Sequence, residues 1–517
     1  MKYPWILLAL LALLIGSGCQ PQALPRAGNI PGQPEEPGAS PQDGAGKFYR
    51  FKWAKCEYGN LPVEIDCGYL TVPVDRSNPQ SGRIRLAVTI LRAGENANNG
   101  AGAAPDPVIL LAGQPGSAAT LDVQGWLENP LLKNRDIILM DLRGTGKSQS
   151  NLNCPELENN DPEDANALRA CRQRLEKEDI LLQDYTSAES AADLNDLRQA
   201  LGYESWNVLG ISYGTRVALT LLRDYPQGVR SVALDSVYPL EVNVFEEQPV
   251  NGAQAIQAFF DGCHRDPECA YVYPELEQVF SDLISSLDDN PRQVTVADPR
   301  TGDTVVVSLD GERMVELILE ALNTPETLAR IPYIIYETQY GNDHAIAGLM
   351  FPNASIGAEQ TDQQAKTERR VFTEGAYYSV LCAEETGFNS RSKAEQVVRE
   401  AGLPLAESLF NQEEQIFEHC QTWDVETSNP IENQAVASPL PALILSGEYD
   451  PLSPTRWARL AAQSLPDSDV LVFPGVGHTV FNLGNCPQSI VAQFFNNPVE
   501  PPDSTCMNDI RVEYWLP

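Results

Sequence analysis

Histidine is scarce in this chain, with four in 517 residues, and basic side chains are few: 36 Lys and Arg stand against 71 Asp and Glu, a formal net charge of −35. A nucleic-acid partner demands a basic surface that displaces counterions, so that class of function is excluded. Zinc-ligand spacing is also missing. The 11 cysteines form no Cys-x-x-Cys pair and no regular pattern with the histidines, which argues against a bound metal. The N-terminal apolar run, Trp5 to Ile15, falls short of the roughly 20 residues that cross a bilayer. No internal repeat is present.

What is there begins with Lys2, that short apolar run, and Gly16-Ser17-Gly18-Cys19. A charged start, a short apolar segment and small residues describe a signal peptide over residues 1–18. The small residues before Cys19 resemble a bacterial lipobox, which implies a lipidated Cys19 as the mature N-terminus. In a Gram-negative bacterium Gln20 then implies sorting to the outer membrane, facing the periplasm, with a lipid anchor as the chain's sole membrane contact. Residues 19–46 are rich in Pro, Gly, Gln and Ala and cannot bury enough apolar side chain to offset ordering entropy, so they read as a flexible tether. Setting Cys19 aside leaves ten cysteines, an even number that suits an exported chain. Neighbours along the chain suggest five disulfides: Cys56 with Cys67, Cys154 with Cys171, Cys263 with Cys269, Cys382 with Cys420, and Cys486 with Cys506. Connectivity is not fixed by sequence alone.

From about residue 67 the pattern is a β-meander, with strands expected at Tyr69–Val74 and Ile84–Leu91. Short apolar runs typical of buried parallel strands follow at Val108–Leu111, Ile137–Met140, Val208–Leu209, Val232–Leu234, Ala442–Leu445 and Val470–Phe473. Helical pattern lies between several of them. Thr186 and Glu189 predict a capping box, Gly202 a stop, and a second helix is expected from Thr215 to Tyr225. Between about 240 and 430 the alternation breaks into helical segments and one hairpin, Gln293–Ala297 with Thr304–Ser308, while the polar stretch 353–368 reads as a mobile loop. Alternating strands and helices predict an α/β fold: a mostly parallel sheet with helices on both faces. The expected division is a core over 47–240, a mainly helical cap inserted at 241–430, and a second core segment over 431–517.

Gly210-Ile211-Ser212-Tyr213-Gly214 follows the run Trp206–Leu209 and opens a helix, the strand–elbow–helix setting of a serine nucleophile. A serine hydroxyl needs a base, and the base needs an orienting group. His478 follows the predicted last strand and Asp450 follows the strand before it, so both belong at the carboxyl edge of the sheet beside Ser212. The order Ser, Asp, His is that of α/β hydrolases. His264, His344 and His419 lie in the insertion or beside cysteines and read as structural. Donors for a developing oxyanion are expected from the backbone N–H of Tyr213 and of Gln114, in the loop Ala112–Ser117. Arg143-Gly144-Thr145-Gly146-Lys147-Ser148 imitates the end of a phosphate-binding loop, but Asp141 stands where that pattern needs glycine.

Together these motifs, with Asp141–Ser148 and Cys67–Asp75, resemble the tripeptidyl aminopeptidase and proline iminopeptidase group of α/β hydrolases, over residue 53 to the C-terminus. The resemblance implies an α/β-hydrolase fold with a cap and a serine peptidase acting on peptide substrates from a free N-terminus, without metal or cofactor. It also implies acidic cap residues that hold the substrate ammonium, for which Glu384 and Glu385 are the candidates. Ala112 and Gln114 replace the His and Gly usual in proline iminopeptidases, so narrow proline specificity is not implied. Two other readings use the same residues differently: a carboxylesterase or lipase-like hydrolase with this triad, and a non-catalytic lipoprotein that uses the fold for binding.

Overall fold

The computed structural model describes residues 49–516 apart from 60, 79, 95–96, 158–164, 298–303, 351–371 and 411–413. The expected signal peptide, tether, lipidated Cys19 and polar 353–368 loop lie outside the described residues. Among the described residues no helix is long and apolar enough to cross a membrane.

Among the described residues eleven strands are formed: β1 Arg50–Ala54, β2 Ile65–Pro73, β3 Arg83–Leu91, β4 Val108–Leu111, β5 Ile137–Met140, β6 Trp206–Ile211, β7 Val229–Asp235, β8 Arg292–Ala297, β9 Thr304–Leu309, β10 Ala442–Gly447 and β11 Ser468–Phe473. Nine of them make one sheet in the order β1-β2-β3-β5-β4-β6-β7-β10-β11. The first three are antiparallel neighbours, and β3 pairs antiparallel with β5. From β5 to β11 every pairing is parallel. The chain is therefore an α/β hydrolase in architecture, with its parallel strands buried from both sides.

The two-residue period of these strands builds both halves of the core. Ile109, Leu111, Ile138, Met140, Val208, Val232 and Ile444 pack on one face against Leu194 and Leu197 of the helix Ser187–Leu201 and Val217 and Leu221 of the helix Tyr213–Asp224. Leu110, Leu139, Leu209, Ala233 and Leu443 face the other way, onto Ile490 and Phe494 of the helix Asn485–Asn496. β4 and β5 are apolar along their whole length because both of their faces are covered, whereas β6, β7 and β11 admit polar residues such as Asn207, Arg230 and Asp469.

Between β7 and β10 the chain leaves the sheet. It forms helices including Val244–Arg265, Leu276–Asp289, Gly311–Ala321, Ile331–Gln339, Glu374–Glu384, Arg391–Ala401 and Glu414–Trp423, with the antiparallel hairpin β8–β9 in the expected register, Gln293 opposite Ser308. Phe259, Phe280, Leu283, Val294, Met314, Ile318 and Ile335 give this segment an apolar core of its own.

Three local expectations need correction. The meander begins earlier than residue 67, because β1 pairs with β2 from Arg50↔Thr71 to Ala54↔Cys67. With four of its five residues exposed, β1 carries no strong apolar period to announce it. The helix expected from Thr215 starts at Tyr213, directly at the elbow. The capping box is half made: Thr186 accepts from the Glu189 N–H, but the Glu189 carboxylate turns to Arg76 and Arg143, since a charged partner outcompetes a backbone amide.

The false phosphate loop is explained by Asp141. Its buried carboxylate already sits inside the turn, accepting from the N–H and hydroxyl of Thr120, both at 2.7 Å, and from the Lys147 N–H at 2.8 Å. A Cβ on Gly146 would lie 2.3 Å from that carboxylate, which is why glycine is needed there.

All five expected cystine pairs are formed, with Cα atoms 5.1 to 5.9 Å apart. The Cys382–Cys420 bridge spans 38 positions, the largest separation of the five, and ties the helix Glu374–Glu384 to Glu414–Trp423. Replacing both cysteines with serine is expected to cost about 3–4 kcal/mol through loop-closure entropy, read as a lower urea midpoint with a somewhat steeper slope, since the uncrosslinked chain unfolds to a less compact state.

Candidate active site

Ser212 directly follows β6 in a backbone conformation that L-residues rarely adopt, φ 49° and ψ −118°, and the helix Tyr213–Asp224 begins immediately after it. The flanking glycines make that turn possible. A Cβ on Gly214 would lie 2.2 Å from the Leu111 carbonyl oxygen, and one on Gly210 would lie 2.7 Å from the Gly214 oxygen. Strain of this kind is tolerated where the surroundings over-determine the geometry. Here the Ser212 N–H donates to the Asp235 carbonyl at 2.8 Å, and the Ser212 carbonyl accepts from the Thr215 N–H at 2.8 Å.

Because β6, β7, β10 and β11 are successive parallel neighbours, the turns leaving their carboxyl ends lie along one edge. This brings three side chains distant in sequence into one hydrogen-bonded line. His478 Nε2 lies 2.9 Å from Ser212 Oγ, and His478 Nδ1 lies 2.9 and 3.0 Å from the two carboxylate oxygens of Asp450. Asp450 is held in turn by the N–H groups of Leu452 and Ser453, at 2.9 and 2.8 Å. The turns carrying the acid and the base are tied to each other, since the Tyr449 N–H donates to the Val476 carbonyl at 2.8 Å. Both side chains are buried.

Burial by itself would lower the His478 pKa, but the Asp450 carboxylate, and then Asp235, outweigh it and hold the imidazole above its ordinary value. An imidazole that takes a proton readily while its other nitrogen is held by a carboxylate can serve as general base toward the hydroxyl it faces.

The expected oxyanion donors are not assembled in this arrangement. The Tyr213 N–H donates to the Gly113 carbonyl at 3.1 Å. In a trans peptide the N–H points opposite to the carbonyl, so the Gln114 N–H faces away from Tyr213. The cause is local, because a buried N–H takes the acceptor nearest to it. Rotation of the single Gly113–Gln114 peptide unit would turn the two donors the same way.

Beside Ser212 lies a cavity of about 160 Å³. Val244, Val380, Leu381, Leu452 and Trp457 give it apolar walls, and Arg216, Tyr238 and Glu385 give it a polar end.

The two candidate glutamates separate here. Glu384 does not reach the cavity. Its carboxylate accepts from the Ser187 N–H, from the Ser187 hydroxyl at 2.7 Å and from Arg216 Nε at 3.2 Å, anchoring the start of the helix Ser187–Leu201. Glu385 lines the cavity, with one carboxylate oxygen 3.2 Å from an Arg216 terminal nitrogen. Burial pushes its pKa up to about 7, against the pull of Arg216. Two carboxylates thus share one guanidinium, so the buried cluster of Arg216, Glu384 and Glu385 has one carboxylate more than it has cations once both are ionised.

Arg216, Tyr238 and Trp457 escaped sequence reasoning. Arg216 had a readable signal, the lone charged side chain in the mostly apolar and wholly buried stretch Tyr213–Leu222. Its guanidinium lies 5.2 Å from the centre of the Tyr238 ring. Tyr238 and Trp457 gave no signal, as their rings stack only in the folded chain. Of the remaining histidines, His419 packs against Tyr378, and His264 and His344 occupy helical turns away from the cavity.

Residues 106–270 match the α/β hydrolase fold family, and residues 408–506 match the TAP-like protein family. The serine protease Hip1 of Mycobacterium tuberculosis is 24% identical over 492 residues, covering 87% of this chain and 89% of that protein. The tripeptidyl aminopeptidase of Streptomyces coelicolor is 30% identical over 209 residues, 36% of this chain and 37% of that protein. A proline iminopeptidase of Neisseria meningitidis is 25% identical over 132 residues, 26% of this chain and 33% of that protein.

Proposed function

From a chain that belongs to the α/β hydrolases and carries a TAP-like C-terminal segment, we propose a serine peptidase that releases residues or short peptides from free N-termini. One observation carries the reading: the hydrogen-bonded line Ser212–His478–Asp450 borders a cavity also lined by Glu385, a buried carboxylate that shares Arg216 with Glu384. Ser212 Oγ attacks the scissile carbonyl as His478 takes its proton. Asp450 orients the imidazole and stabilises the imidazolium, which then protonates the leaving amine. Water, activated by the same histidine, releases the acyl group. Tyr213 and Gln114 supply the oxyanion donors after the Gly113–Gln114 peptide turns.

Glu385 is the anchor for the substrate ammonium. An ammonium is the partner that an under-compensated buried carboxylate lacks, and its arrival balances the second carboxylate. The cavity is smaller than the ~300–1,000 Å³ that encloses a drug-sized ligand, so the piece held between Ser212 and the anchor is short. Export, lipidation at Cys19 and a periplasm-facing outer-membrane location belong to the same proposal. They would deliver the enzyme to short peptides outside the cytoplasm.

The apolar walls also suit a short acyl ester, the one observation that favours an esterase. A chromogenic panel separates the readings: a tripeptide anilide, its N-acetylated form, alanine and proline anilides, and a short acyl ester. Cleavage of free-amine substrates with little or none of the acetylated peptide is the expected outcome. Turnover of the ester alone would transfer the assignment to the esterase.

A further inference from the structure

Asp235 is a buried acid at the same sheet edge that the triad leaves unused. Asp235 ends β7, between the strand that carries Ser212 and the strand that leads to Asp450. Its carbonyl accepts the Ser212 N–H at 2.8 Å. Its carboxylate accepts the N–H groups of Val480 and Phe481, at 3.0 and 2.9 Å, one on each oxygen. The next residue, Ser236, accepts the Thr479 N–H on its hydroxyl at 2.9 Å. Three consecutive amides directly after His478 are thus captured by two consecutive residues of the neighbouring strand end.

Backbone geometry marks the same junction. Ser212, Ser236 and Thr479 are non-glycine residues with positive φ, at 49°, 54° and 62°. Such conformations persist only where surrounding bonds enforce them. Residues 235 and 236 make those bonds for both the nucleophile and the histidine turn.

We propose that Asp235, with Ser236, is the positioning element of the site: it locks the His478 turn onto the Ser212 elbow and presents a second carboxylate to the imidazolium formed in the reaction. The proposal rests on Ser212 as nucleophile. The charged groups that face His478 are Asp450, from the turn after β10, and Asp235, from the end of β7. Those that bear on Asp235 are His478 and Asp450. Burial pushes the Asp235 pKa up to about 7, against the opposing pull of the Phe481 amide, His478 and the Val480 amide. Its charge therefore strengthens as the imidazole gains a proton. Asparagine cannot replace it, because one of the two inward-facing amides would meet an NH2 group in place of an acceptor.

The test is the rate at which a fluorophosphonate labels the full chain, followed across the imidazole titration range, for wild type, Asp235→Asn and Ser236→Ala. Asp235→Asn is expected to label about 10- to 100-fold more slowly, part of what a general base contributes. Its acid limb should move to lower pH, since one of two carboxylates that raise the His478 pKa is neutralised. Ser236→Ala removes one neutral acceptor and should slow labelling several-fold with the acid limb unmoved. Wild-type labelling by both variants, or a slow Asp235→Asn with an unshifted acid limb, overturns the proposal. If Asp235→Asn does not fold, wild-type labelling by Ser236→Ala overturns it. Failure of the wild type itself to label at Ser212 would instead sink the peptidase reading beneath it.

Discussion

Ser212→Ala is expected to lower kcat about a million-fold on the free-amine tripeptide anilide, the scale seen when a triad nucleophile is removed. The reason is chemical: without Oγ the imidazole of His478 has no hydroxyl to deprotonate, and no acyl-enzyme forms. What survives is binding together with the two oxyanion donors, enough for some ~10³–10⁴-fold over water in comparable sites. The fold should persist. Alanine keeps the Cβ already accommodated at φ 49°, and the bonds that hold position 212 are made by backbone atoms. Steady-state turnover alongside an unchanged circular dichroism spectrum checks this. Activity within ten-fold of wild type would remove Ser212 from the mechanism.

Glu385→Gln should produce the second large effect, confined to substrates with a free amine. Removing one partner of a buried charge pair costs about 2–5 kcal/mol, so kcat/KM for the free tripeptide should fall about 30- to 5,000-fold. The acetylated peptide and the ester never used that charge and should be turned over as before. Stability should hold, because Arg216 keeps Glu384 as counter-ion and the cluster loses a desolvated charge.

The pH dependence follows with a definite sign. As the proposed ammonium anchor Glu385 would act only when ionised, and burial pushes its pKa up to about 7. For free-amine substrates kcat/KM must therefore rise with pH as both Glu385 and His478 lose their protons. It should then fall above about pH 8, where the substrate α-amine loses its own proton. Esters should show the histidine limb alone. Identical acid limbs for the two substrate classes would show that Glu385 is not the anchor.

The triad was legible because each member carries local information. Ser212 sits between an apolar run and a helix, and Asp450 and His478 each follow an apolar run. A parallel sheet then places every such turn on one edge without knowledge of any contact. Glu384 and Glu385 show where that reasoning stops. They are neighbours at the end of one helix, and which of them faces the cavity depends on how that helix packs over Ser187 and Arg216. Sequence supplied the pair of candidates but no means to choose between them. Asp235 was overlooked for a related reason. Its value lies in two amides more than 240 positions away, and an aspartate at a strand end has no local mark of such a bond.

By itself the sequence determined the α/β architecture and the placing of Ser212, Asp450 and His478 after successive apolar runs, and it suggested, without fixing, the five cystine pairs as neighbours along the chain. All of these follow from periodicity, turn chemistry and proximity, which are properties of short stretches. The tertiary structure alone decided the direction of the Gly113–Gln114 peptide, the division of labour between the two glutamates, and the bonds that Asp235 makes. Each of these is settled by the nearest acceptor or charge in space, and in a buried site those neighbours come from strands and helices far away along the chain.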